Sequence, residues 1–291
     1  VPTAQLIALP SGGALHLDGP AGAPALLMLH GVGGGAWSWR PQWDALRTTH
    51  RLGVWEGRGH GAASRVADAG LADYYTDARE ALAAIVEDTG RPPIVVGHSM
   101  GGLLAIALAC DVKADVAGLF LVDPVYATGD GEYGHFAPGI GRFADFVCSP
   151  LIRSFARDGA VSRRISRWIF EQSFVDRARM EAAWRDQRTQ IPVEYPRMLH
   201  ESFTGPLGFV PREFAREISV PAFVLQGTAS GKGAPRFPRL VDTLRERLGP
   251  RFTFESIAGG HYLQLDSPDE VTARLLRFAR SRPTLHDERF E

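Results

Sequence analysis

A chain of 291 residues, 45% hydrophobic and 22% charged, is long enough to bury one large core, or a core plus a sub-domain, and with it a pocket screened from water. Its formal net charge is −1 and no long block of one sign occurs, which argues against nucleic acid or an anionic membrane surface as a partner. Two cysteines, Cys110 and Cys148, are too few for a disulfide framework, no apolar run is long enough to span a membrane, and a cytoplasmic location is the expectation.

In chain order, Ala4 to Leu9 and Ala14 to Asp18 are short apolar segments split by Pro10-Ser11-Gly12-Gly13, which predicts a hairpin. Ala25 to Leu29 is a continuous apolar run suited to a strand buried on both faces, and it ends in His30-Gly31-Val32-Gly33-Gly34-Gly35. Arg51 to Trp55 predicts another strand, followed by Gly57-Arg58-Gly59-His60-Gly61. Leu71, Tyr75, Ala78, Leu82 and Ile85 then recur every three or four residues, the stripe of an amphipathic helix.

The next stretch carries the chemistry. Ile94 to Val96 meets Gly97-His98-Ser99-Met100-Gly101-Gly102, and an Ala/Leu-rich helical segment follows at once. A strand, a sharp turn and a helix around Gly-x-Ser-x-Gly expose a serine hydroxyl at a sheet end, with the Met100 N–H beside it at the positive end of a helix. Positions 97 and 101 can carry almost no side chain in so tight a turn.

Gly118 to Val122 is a further strand. From about Pro124 to Glu217 buried-strand runs vanish while Arg, Phe and Trp take helical spacing, as at Ile165, Trp168, Ile169 and Gln172. Pro221 to Leu225 restores the strand pattern, Phe237 to Leu248 reads as a helix and Phe252 to Ile257 as the last strand. Ser267-Pro268-Asp269-Glu270 opens the closing helix, with serine expected as N-cap. Strands alternating with helices imply a mostly parallel, doubly wound sheet of the α/β class.

Four local patterns in order, His30-Gly31, Arg58-Gly59-His60-Gly61, the serine turn and Gly259-Gly260-His261, make the chain similar to the serine branch of the α/β-hydrolase fold family. The resemblance implies a core of residues 1–124 and 216–291, with a helical cap domain, 125–215, inserted after the sixth strand. It assigns Ser99 as nucleophile and His261, on the loop after the last strand, as its base. It also assigns the backbone N–H groups of Val32 and Met100 as the oxyanion hole.

The third partner departs from the family pattern. The acid expected after the seventh strand is missing, since that stretch reads Gly227-Thr228-Ala229-Ser230. Asp123, ending the sixth strand, is the natural replacement; a turn-opening role, a different acid (Glu56, Asp130 or Asp266) or a true Ser-His dyad remain open. His60 is expected to brace its own loop, His30 to tie the oxyanion loop to the core, and His98 to point away from the pocket.

Trp37, Trp39, Trp168, Phe170 and Phe174 could wall an apolar pocket, and Arg163, Arg164 and Arg167 could receive an acid, although core packing and a solvated helix face are the plainer readings. No Cys/His cluster has metal-ligand spacing, and the Gly33 to Gly35 run lacks the lysine of a phosphate loop. The resulting expectation is a serine hydrolase, free of cofactor and metal, that cleaves a carboxylic ester of a small to medium, largely apolar substrate. Carbon–carbon cleavage, thioester hydrolysis and acyl transfer are alternatives on the same residues. A receptor retaining the pocket without turnover is the alternative of another class.

Overall fold

The computed structural model describes residues 4–64, 69–124, 164, 167–168, 170–187, 217–228, 233, 235 and 238–281. Most of the inserted segment, with Asp130, Cys148 and Arg163, lies outside the described residues, as does Ser230.

Eight strands form one sheet in the order β1-β2-β4-β3-β5-β6-β7-β8: β1 Gln5–Ala8, β2 Ala14–Asp18, β3 Ala25–Leu29, β4 Arg51–Glu56, β5 Ile94–His98, β6 Gly118–Val122, β7 Ala222–Thr228 and β8 Phe252–Ala258. The β1–β2 hairpin is antiparallel, and its turn is closed by the Leu9 N–H on the Gly13 carbonyl at 2.9 Å. β2 runs antiparallel to β4, and every later neighbour pair is parallel. This is the mostly parallel α/β sheet that the alternating pattern predicts.

The apolar runs are continuous because the central strands are covered on both faces. Along β3, Leu27 and Leu29 join the core on the side of the sheet that carries α2 (Leu71–Thr89), α3 (Met100–Asp111) and α5 (Pro238–Leu248), while Leu26 and Met28 join the core on the side that carries α1 (Arg40–Leu46) and α7 (Pro268–Arg280). The same alternation divides Leu119 and Leu121 from Phe120 and Val122 on β6. α3 is buried from Met100 to Cys110, so it carries no polar stripe at all.

Two further helices sit at the site end of the sheet. α4, Arg177–Gln187, belongs to the inserted segment, and α6, Leu263–Asp266, follows the last strand. Phe170, Phe174, Met180, Ala183 and Trp184 of the insertion pack with Trp37, Tyr262 and Leu265 in a satellite core. Trp168 is exposed, and Arg167 pairs with Glu171 at 2.8 Å and with Glu181, in keeping with a solvated helix face.

One capping expectation is corrected. Ser267 occupies the N-cap position of α7, but its hydroxyl donates to the Ala258 carbonyl at 2.6 Å and not to the helix. Closing the loop onto the end of β8 takes the hydroxyl that the cap would have used. Pro268 and the acids Asp269 and Glu270 do stand in the first turn.

Candidate active site

β5 delivers Ser99 into a turn with φ 52° and ψ −117°, a left-handed-side backbone that costs a non-glycine residue about 1–3 kcal/mol. The turn is held by the Ser99 N–H on the Val122 carbonyl (3.2 Å) and by the Gly102 N–H on the Ser99 carbonyl (2.9 Å). It closes only over bare backbone. A Cβ at Gly97 would run into the Gly101 carbonyl, and one at Gly101 into the Leu29 and His30 carbonyls. Ser99 is thereby fixed where the ends of β3 and β5 meet the start of α3.

His261 reaches this hydroxyl from the loop after β8. Its Nε2 lies 2.9 Å from Ser99 Oγ, and its Nδ1 lies 2.6 Å from Asp123 Oδ2. A carboxylate can only accept, so Nδ1 carries the proton and Nε2 presents its lone pair to the serine O–H. Asp123 is buried just past β6, with φ 43°; its second oxygen accepts the Gly227 N–H at 3.3 Å, and its own N–H donates to the Leu225 carbonyl at 2.7 Å.

The other candidate acids among the described residues have different partners. Glu56 accepts from His16 Nε2 (2.9 Å) and from the Ala36 (2.9 Å) and Ala62 (2.7 Å) amides. Burial alone would raise its pKa, but these donors outweigh that and pull it to about 2. Asp266 accepts the Gly260, Val175 and Asp176 amides and does not face the imidazole.

The Val32 amide is aimed by His30. His30 is fully buried, which with the nearby His60 lowers its pKa to about 3 and keeps it neutral. Its Nε2 accepts the Gly57 N–H (3.1 Å), so its Nδ1 donates to the Gly31 carbonyl (2.7 Å), which the Gly34 N–H also engages (2.9 Å). In a trans peptide the N–H points opposite the C=O, so fixing the Gly31 carbonyl from two sides turns the Val32 N–H the other way. A Cβ at Gly31 would lie 2.9 Å from Ser99 Cβ, so this peptide adjoins the Ser99 turn. The Met100 N–H, at the first position of α3, is one of the amides a helix leaves without an intrahelical acceptor.

His60 braces its loop through Nδ1 and the Arg58 carbonyl at 3.2 Å, and it stands edge-on to Tyr74. His98 does not simply turn away from the site. It is buried, its Nε2 donates to the His261 carbonyl at 2.8 Å, and the two rings are 4.8 Å apart. Sequence reasoning missed this contact; the only available signal was an imidazole closing an otherwise apolar strand. Trp39 is core, whereas Trp37, Phe170 and Phe174 surround Tyr262, next to His261. Among the described residues no group of three or more His, Cys, Asp and Glu could hold a metal ion, and no helix is long and apolar enough to cross a membrane.

The sheet order, the serine turn and the histidine loop after the last strand coincide with a match of residues 26–274 to the alpha/beta hydrolase family, and the chain belongs to that family. It is 39% identical over 113 residues to the "Putative carbamate hydrolase RutD" of Variovorax paradoxus; that match covers 38% of this chain and 42% of RutD. It is 28% identical over 273 residues to the magnesium-chelatase 30 kDa subunit of Rhodobacter capsulatus, covering 89% and 87% of the two chains. Among solved structures, the esterase RhEst1 from Rhodococcus sp. ECU1013 superposes with a TM-score of 0.72 at 20% identity, over 96% of this chain and 99% of that one. At that identity the likeness bears on the fold.

Proposed function

We propose that the protein is a serine hydrolase that cleaves the carboxylic ester of a small to medium, largely apolar molecule through an acyl-enzyme. The observation that carries this reading is the continuous Ser99–His261–Asp123 relay, at 2.9 and 2.6 Å, on a strained turn at the end of a sheet. In it, His261 Nε2 takes the Ser99 proton as Oγ adds to the ester carbonyl. The Val32 and Met100 amides hold the oxygen that becomes negative, and Asp123 keeps the imidazole in the accepting tautomer and stabilises the imidazolium. The imidazolium then returns the proton to the departing alcohol. Water, deprotonated by the same nitrogen, releases the acid and restores Ser99.

An apolar acyl group suits the aromatic residues beside the base, Trp37, Phe170, Phe174 and Tyr262, whose rings lie 4.8–6.1 Å from one another in neighbouring pairs. In this reading 125–215 is a cap domain over a core of 1–124 and 216–291, and the enzyme works in the cytoplasm on a small molecule without a cofactor.

The test is release of a chromogenic phenol from its short and medium acyl esters by the parent protein and by Ser99→Ala. Turnover by the parent, its loss in the variant and covalent labelling of Ser99 by an organophosphonate are expected. A protein that neither turns over nor labels is a receptor, and the proposal fails. A second reading, carbamate cleavage by the same residues, is favoured by the name of the RutD relative. It predicts a higher kcat/KM for an N-unsubstituted aryl carbamate than for the matching acetate.

A further inference from the structure

We propose that Asp266 is a positioning residue for His261, clamping the histidine loop and the described edge of the inserted segment into one unit. This rests on the reading of His261 as the general base. Asp266 is buried, and its carboxylate gathers three backbone amides from two separate stretches of chain. Oδ2 accepts the Gly260 N–H at 2.6 Å and the Val175 N–H at 2.8 Å, and Oδ1 accepts the Asp176 N–H at 2.9 Å. The first of these amides immediately precedes His261; the other two lie in the insertion.

The loop needs such a hold. Gly259 and Gly260 give it wide backbone freedom, and Gly259 has φ 145°. Around His261 the backbone is fastened at three successive residues: the Gly260 N–H to Asp266, the His261 carbonyl to the His98 Nε2–H (2.8 Å), and the Tyr262 N–H to the Ser173 carbonyl (3.1 Å). Two of these ties involve the segment 173–176, either directly or through Asp266. The segment rides so close that a Cβ at Gly260 would run into the Ser173 carbonyl.

A misplacement of about 1 Å in a reacting group costs on the order of a hundredfold in rate. A carboxylate is the suitable clamp because both oxygens only accept, and an ionised acceptor binds amides about twice as strongly as a neutral one. Asp266→Asn keeps the shape but turns an NH2 donor toward one set of amides. Asp266→Ala removes all three bonds.

Both variants are assayed on a phenyl acetate for kcat and KM, with kcat expressed per Ser99 titrated by the organophosphonate, so that unfolded protein does not count. The expected result is a fall in kcat of about tenfold in Asn and about a hundredfold in Ala, with KM within threefold. The proposal is overturned if kcat per titrated site stays within twofold of the parent in both variants, or if the loss lies in KM alone. Ser99→Ala and His261→Ala run alongside: if they keep parent turnover, the serine-hydrolase reading itself fails, whereas inactive controls beside unaffected Asp266 variants sink only the clamp.

Discussion

Replacing Asp123 by Asn is the sharpest probe of the relay, because the structure dictates which way the amide must turn. In the parent, Oδ1 accepts the Gly227 N–H and Oδ2 accepts the His261 Nδ1–H. Asparagine has one acceptor for these two donors. With its oxygen on His261, its NH2 would face the Gly227 N–H in a buried site, a donor–donor clash costing about 1–3 kcal/mol. The oxygen therefore turns to Gly227, and the NH2 donates to His261 Nδ1. That forces the ring proton onto Nε2, where it points at Ser99 Oγ, and this nitrogen can no longer accept the serine proton. Under the proposed function, loss of the accepting tautomer together with the carboxylate charge is expected to lower kcat by about 10⁴, equivalent to about 5.5 kcal/mol of transition-state stabilisation. The assay is kcat/KM on a chromogenic phenyl ester from pH 6 to 9, with cooperative thermal unfolding confirming the fold. A loss below tenfold in a folded variant removes Asp123 from the relay and returns the choice to a dyad.

Gly101→Ala places a methyl group against the Leu29 and His30 carbonyls, backbone that cannot swing aside, and is expected to destabilise the fold by about 3 kcal/mol or more in urea unfolding. A variant within 0.5 kcal/mol of the parent contradicts the close approach. Stability also falls in acid for a definite reason. Burial, foremost, lowers the pKa of His30 and His98 from 6.5 to about 3 and that of His60 to about 4, so the unfolded chain takes up protons that the native one refuses. The contribution is complete above pH 6.5 and is lost below it at up to about 1.4 kcal/mol per pH unit for each histidine until the folded pKa is reached. Urea denaturation at pH 7, 6 and 5 that shows no decline refutes the neutral, buried assignment of these rings.

The parts of the molecule governed by local rules were legible in the amino-acid sequence. β3 and β6 occupy the predicted 25–29 and 118–122, because a strand covered on both faces must be apolar throughout and stops where glycine or a polar residue begins. β7 continues past the predicted Leu225 to Thr228, since Gln226, Gly227 and Thr228 pair with Ser256, Ile257 and Ala258 of β8 although the pattern there is no longer apolar. The serine turn declared itself through glycines that admit no side chain. Asp266 and His98 did not declare their roles, because each acts on backbone groups of other elements. His98 meets the carbonyl of a residue 163 positions away, and no periodicity encodes such a contact. Ser267 shows the converse: a helix-capping sequence used for a loop closure that only the tertiary structure supplies.

The position of the acid follows from the route the histidine must take. Ser99 ends β5 and His261 follows β8, three strand spacings of about 4.8 Å away, or roughly 14 Å. Extended chain advances at most about 3.6 Å per residue, so Gly259 to His261 can span about 10 Å, and the side chain supplies the rest. The loop has to run straight across the end of β7. There it meets Gly227, whose Cβ would collide with the Gly260 carbonyl, so the end of β7 is left bare for the loop to cross. Past that crossing the imidazole stands over β6, and the carboxylate in reach of Nδ1 is the one that ends β6, Asp123. A chain that lays its histidine loop flat on β7 thus gains a partner from β6, which explains how a relay can be complete in a sequence whose seventh strand ends at Thr228 and is followed by Ala229 and Ser230 in place of an acid.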